Sequence, residues 1–132
     1  MELRIIVAGG RDFRDYDLLE DTLSKYLENM NDPDIVGNLS QIKLISGCCK
    51  GADILGERFA CRYEYDVVRF PANWDEYGNA AGPIRNEQMA KYAVADGNKG
   101  VLVAFWDGKS KGTKSMIGLA KKYRLEVHVV RY

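Results

Sequence analysis

Five short apolar runs, separated by stretches with helical spacing, constrain this chain more than any other feature. The runs are residues 3–8, 42–46, 66–70, 100–106 and 125–130. They are rich in β-branched residues and almost continuously apolar, the pattern of strands covered on both faces. The first two end in glycine, at Gly9-Gly10 and at Gly47, and the third ends at Pro71. Between the runs lie stretches whose apolar residues recur every three or four positions. Residues 17–30 carry Leu19, Leu23, Tyr26, Leu27 and Met30 on one face. A second helix opens near Gly51 and runs through Leu55, Phe59 and Ala60. Residues 73–82 read as loop, and Pro83 suits the start of a third helix through Met89, Tyr92 and Ala93. A fourth helix follows the turn at 107–112 and carries Met116, Ile117 and Ala120.

Strands that alternate with helices need crossover connections, and crossovers produce parallel pairing. The expected fold is therefore α/β: a three-layer, Rossmann-like doubly wound, mostly parallel five-stranded sheet with helices on both faces. Neither a linker nor an internal repeat interrupts residues 1–132, which read as one domain.

Composition narrows the function. Lys and Arg total 19, as do Asp and Glu, so the formal net charge is zero. A protein that coats DNA or RNA carries a basic excess, so nucleic acid is not the expected partner. The longest strongly apolar stretch, Val101 to Trp106, is far short of the roughly 20 residues of a membrane-spanning helix. No charged-then-apolar leader pattern opens the chain. The cysteines, Cys48, Cys49 and Cys61, are odd in number and two are adjacent, which is no disulfide framework and fits a reducing cytoplasm. A single histidine, His128, and no C-x-x-C pair leave no zinc site to expect, and no cofactor is expected. His128 reads as structural.

Ligands of open parallel sheets bind beyond the carboxyl ends of the strands. In this chain those ends are polar and glycine-rich. They are Gly9-Gly10-Arg11-Asp12, Ser46-Gly47-Cys48-Cys49-Lys50-Gly51-Ala52-Asp53, Asn73-Trp74, and Asp107-Gly108-Lys109-Ser110-Lys111-Gly112-Thr113. Glycine admits close backbone approach, and a helix start offers free N–H groups to an anion. Arg11, Lys50, Arg85, Lys109 and Lys111 supply positive charge. Trp74 and Trp106 are candidates to stack on a base. Together these point to a phosphate-bearing small molecule. The dinucleotide fingerprint is absent after the first strand, and a P-loop reading of Gly108-Lys109-Ser110 would need a glycine at Val103. Cys48 and Cys49 read as small loop fillers.

These loops resemble the SLOG superfamily, Rossmann-like domains related to the LOG nucleotide phosphoribohydrolases and the DNA-processing protein DprA. The likeness is greatest to its YspA-related branch. It rests on Gly9-Gly10-Arg11-Asp12-Phe13, Ser46-Gly47-x-x-Lys50-Gly51-Ala52-Asp53, Ala72-Asn73-Trp74, Ala81-Gly82-Pro83-x-Arg85-Asn86-x-x-Met89, and Phe105-Trp106-Asp107-Gly108-x-Ser110-x-Gly112-Thr113. That branch usually has Gly-Gly or Gly-Ala where this chain has Cys48-Cys49. The resemblance implies that a nucleotide or nucleotide-derived molecule binds at these residues, Asn86 among them, with the domain acting as a sensor module. It also implies pairing of copies through helices. LOG enzymes cleave the N-glycosidic bond of a nucleoside monophosphate with an arginine, matched here by Arg85, and a glutamate after a Gly-Thr pair. Gly112-Thr113 is followed by Lys114-Ser115-Met116, which holds no carboxylate. A divergent N-glycosidase would need another acid, and Asp53, Asp107 and Glu87 are the candidates. Binding without turnover and glycoside cleavage thus stand as alternatives, with single-strand DNA binding a third that zero net charge disfavours.

Overall fold

The apolar runs pair into one parallel sheet. A computed structural model describes residues 1–132. Its strands are β1 (Leu3–Gly9), β2 (Ile42–Ser46), β3 (Asp66–Arg69), β4 (Lys99–Trp106) and β5 (Glu126–Arg131). Its helices are α1 (Tyr16–Glu28), α2 (Ala52–Arg62), α3 (Trp74–Tyr77), α4 (Ala81–Val94) and α5 (Lys111–Lys122). All neighbouring strands are parallel, in the order β3-β2-β1-β4-β5. The fold is the expected three-layer α/β sandwich.

Period-two alternation divides the core between the two faces. Val101, Val103 and Phe105 of β4 pack with Leu19 and Leu23 of α1 and Phe59 and Ala60 of α2. Leu102 and Ala104 of the same strand pack with Met89, Ala90 and Ala93 of α4 and Met116 and Ala120 of α5. The central strands β1 and β4 are therefore apolar on both sides. The edge strands are not: β3 and β5 contain exposed charged residues at Asp66, Arg69, Glu126 and Arg131. That composition discourages pairing with another chain at the sheet edge.

One stretch departs from expectation. Residues 73–82 are not loop: they hold α3, a 3-10 turn (Gly78–Ala80) and the first residues of α4. The Asn73 side chain accepts a hydrogen bond from Glu76 N at 3.1 Å and so caps α3. Four residues are too few to display a helical period, and the glycines at 78 and 82 read as loop. Pro83 sits within the first turn of α4, where its missing N–H costs no intrahelical bond.

The chain runs outward from β1 through β2 to β3, then returns to lay β4 on the other side of β1. The carboxyl ends of β1 and β4 are thus a topological switch point, where the flanking helices diverge and leave a crevice. No helix is long and apolar enough to cross a membrane.

Candidate functional site

A cavity of about 630 Å³ opens at that switch point. The size suits a nucleotide-sized molecule. Four separate segments line it: the β1 loop at Gly9 to Asp12, the start of α2 at Cys49 and Asp53, the α3–α4 region from Trp74 to Met89, and the start of α5 from Ser110 to Met116.

The walls differ in chemistry. On one side the start of α5 faces the cavity. Ser110 caps this helix by accepting from Thr113 N at 3.4 Å. Gly112 has open space where a side chain would stand, so a ligand can approach its backbone. Lys111 lines the same wall, and a helix start with a neighbouring ammonium is suited to phosphate. Trp74, about half exposed, forms part of another wall with Pro83 and the buried Met89. Flat aromatic and thioether surface of that kind is suited to stacking with a planar ring.

The floor is a charged cluster. Arg85 projects from α4 and is only 8% exposed. Its Nη1 donates to the Gly47 carbonyl, its Nε donates to Asn86 Oδ1 at 2.9 Å, and both Nη atoms lie 3.9 Å from Cys49 Sγ. Arg11 Nη2 reaches the same sulfur at 4.0 Å. Asp53, 7% exposed, accepts from Cys49 N at 3.2 Å. Burial is the main influence on Asp53 and pushes its carboxyl up to about 6, against the opposing pull of the Cys49 amide and the Arg85 charge. Any Cβ on Gly47 would lie 2.7 Å from Arg85 Nη1 and 2.8 Å from Asp53 Oδ2, so this cluster closes only over glycine.

The profile of the YspA, cpYpsA-related SLOG family matches residues 3–77, more than half of the chain. The chain belongs to that family. The matched span carries the β1 loop, the start of α2 and Trp74, so most of the cavity floor is family sequence. No curated protein matches this SLOG chain. Among solved structures, DNA processing protein A (DprA) from Streptococcus pneumoniae is similar over 98% of the chain, with a TM-score of 0.67 and 14% identity. The SLOG chain spans 50% of that protein's length. At that identity the likeness is one of fold.

The cavity brings together twelve of the residues expected from the SLOG sequence. Gly9, Gly10, Arg11, Asp12, Asp53, Trp74, Arg85, Asn86, Asp107, Ser110, Gly112 and Thr113 all line it. Eight others do not, and all but Lys50 have another task. Ser46 donates to Glu57 Oε2 at 2.6 Å and accepts from Cys48 N, tying β2 to α2. Gly47 supplies the carbonyl that holds Arg85. Gly51, at φ +89°, packs against the backbone of Gly10 and Arg11, and Ala52 is fully buried beside it. Lys50 points to solvent. Asn73 is the α3 cap. Gly108, at φ +85°, lies under Arg131, and the Lys109 amide donates to Asp107 Oδ1 at 2.8 Å. The glycine loop after β2 thus meets the cavity lining at Cys49 and holds Arg85 through the Gly47 carbonyl.

Three other expectations change. Cys49 is no loop filler, since its sulfur lies on the cavity floor between two guanidinium groups. Trp106 does not line the cavity: its Nε1 donates to Ser110 O at 3.1 Å and Arg131 covers its ring at 5.2 Å. Glu87 is off the site, paired with Lys91 at 3.5 Å and Lys122 at 3.8 Å. Asp107 lines the cavity, but its Oδ1 accepts from the Lys109 and Ser110 amides, and these bonds hold its carboxyl below the usual range. Of the three candidate acids, Asp53 alone sits beside Arg85. His128 pairs with Glu126 on β5, away from the cavity.

Proposed function

We propose that this SLOG domain binds a nucleotide-like, phosphate-bearing small molecule at the switch-point cavity and acts as a sensor module. One observation carries the reading: an uncrowded helix start with Lys111, an aromatic wall at Trp74 and a buried arginine meet around a single cavity of about 630 Å³. The phosphate would rest on the Gly112 backbone with Lys111 beside it, and the base against Trp74. Arg85 sets the positive potential of the floor. Three of its contacts are already taken by the protein, so it acts as a fixed charge more than as a mobile clamp.

Thermal unfolding against a panel of nucleotides, cyclic nucleotides, ADP-ribose and nucleotide sugars tests the reading. A ligand at 100 times its Kd adds about 2.7 kcal/mol, which raises Tm by several degrees. Alkylation mapped by mass spectrometry then locates the site. Cys49 should be protected by the ligand that shifts Tm, while the exposed Cys61 is modified at an unchanged rate. A shift without protection of Cys49 would move the ligand elsewhere; no shift with any compound would remove the nucleotide reading.

Glycoside cleavage is the second reading, favoured by one feature. The Asp53 carboxyl, raised to about 6 and beside Arg85, is suited to proton transfer near neutral pH. Release of free base from a bound nucleotide, abolished in Asp53→Asn, would support turnover, and its absence would leave binding alone.

A further inference from the structure

The Asp53 carboxylate is desolvated, yet the protein answers only one of its oxygens. Oδ2 accepts from Cys49 N at 3.2 Å, and Oδ1 accepts no hydrogen bond from any protein group. The residue is 7% exposed and lines the cavity, and Oδ1 is not sealed inside the protein, so its remaining exposure is onto the cavity. A carboxylate oxygen open to the cavity, with no donor from the chain, is free to accept a hydrogen bond from a ligand. The donor should be neutral, because Arg85 and Arg11 flank the cluster and repel a cation. It should also belong to the middle of the ligand. The α5 start suits the anionic end and Trp74 and Met89 suit the base, which leaves the sugar for Asp53 on the lining that all of them share.

We propose that Asp53 accepts a hydrogen bond from a ribose hydroxyl, so that the cavity selects sugar-bearing phosphates with a free diol over anions and nucleotides that lack one. This rests on the nucleotide reading above and adds a specificity determinant to it. A carboxylate that must shed water to sit in the floor rejects ligands that leave it unanswered, because their binding restores none of its lost hydrogen bonds.

The experiment is calorimetric titration of the full chain with the ribonucleoside 5′-monophosphates of adenine, guanine, cytosine and uracil, each beside its 2′,3′-dideoxy counterpart, and with pyrophosphate. The binding ribonucleotide should exceed its dideoxy counterpart by about tenfold or more. In Asp53→Asn, which keeps the side-chain volume and an acceptor for the Cys49 amide, that ratio should fall to about threefold or less, with dideoxy affinity little changed. The wild-type comparison needs no variant and stands even where the Asp53→Asn substitution disturbs folding. Equal affinity for a ribonucleotide and its dideoxy form would overturn the diol proposal while leaving the nucleotide reading intact. Discrimination that persists undiminished in Asp53→Asn would assign the diol to another acceptor. Binding of pyrophosphate alone, or of none of these compounds, would overturn this proposal, and the nucleotide reading falls with it only where the wider thermal panel is silent as well.

Discussion

At the scale of the residue, the Asp53 carboxyl makes function and stability pull in opposite directions. Its folded value of about 6 lies above the ordinary 3.8 of an unfolded aspartate, so the folded state holds the proton more tightly. Its contribution to stability is therefore fully present below about 3.8 and is lost as pH rises through 6. At pH 7 the ionised group destabilises the empty protein by up to about 3 kcal/mol. Asp53→Asn should then unfold at higher urea than the wild type at pH 7, with the gap closing toward pH 4.5; a variant less stable than wild type at both pH values would contradict this. Residues differ in how far sequence exposes such roles. Arg85 and Asp53 were legible because they sit in ordered motifs. The role of Cys49 was not, because its contact with Arg85 spans 36 positions and a cysteine carries no spacing signal.

At the scale of the element, caps separate fold from site. Asp15 caps α1 by accepting from Leu18 N at 3.0 Å, and α1 contributes nothing to the cavity. Asp15→Ala should cost about 1 kcal/mol and lower Tm while leaving nucleotide affinity unchanged. Asn73→Ala should do the reverse. It loosens α3, which carries Trp74 but no buried residue, so affinity falls while Tm holds. Thermal melts and titration of the two variants check both expectations. The same contrast explains what was readable. Strand bounds were legible to within one residue because each strand matches a short run rich in β-branched residues, closed on both sides by polar, glycine or proline positions. α3 was not, because its formation depends on one side-chain cap and not on any period.

At the scale of the molecule, burial ranks the strands. Six consecutive residues of β4 are buried, whereas β3 has none buried. Amides of β1 and β4 should exchange with solvent most slowly, near the rate of global unfolding, and those of β3, β5 and α3 sooner. Hydrogen exchange followed by NMR would reveal the order, and early exchange in β4 would contradict it. The fold class was legible from alternation of element types alone. The place of the cavity followed from strand order, but which glycine loop would face it did not. In the structure Arg85 lies against the Gly47 carbonyl, and the β2 loop lines the cavity at Cys49. This arginine has one more consequence. Reaching from α4 under the sheet edge to the Gly47 carbonyl, it works as a tie-rod between opposite banks of the crevice. A vessel braced in this way should hold its width whether full or empty, so that a guest would find the floor already in its final form, with any give left to the rim at Trp74.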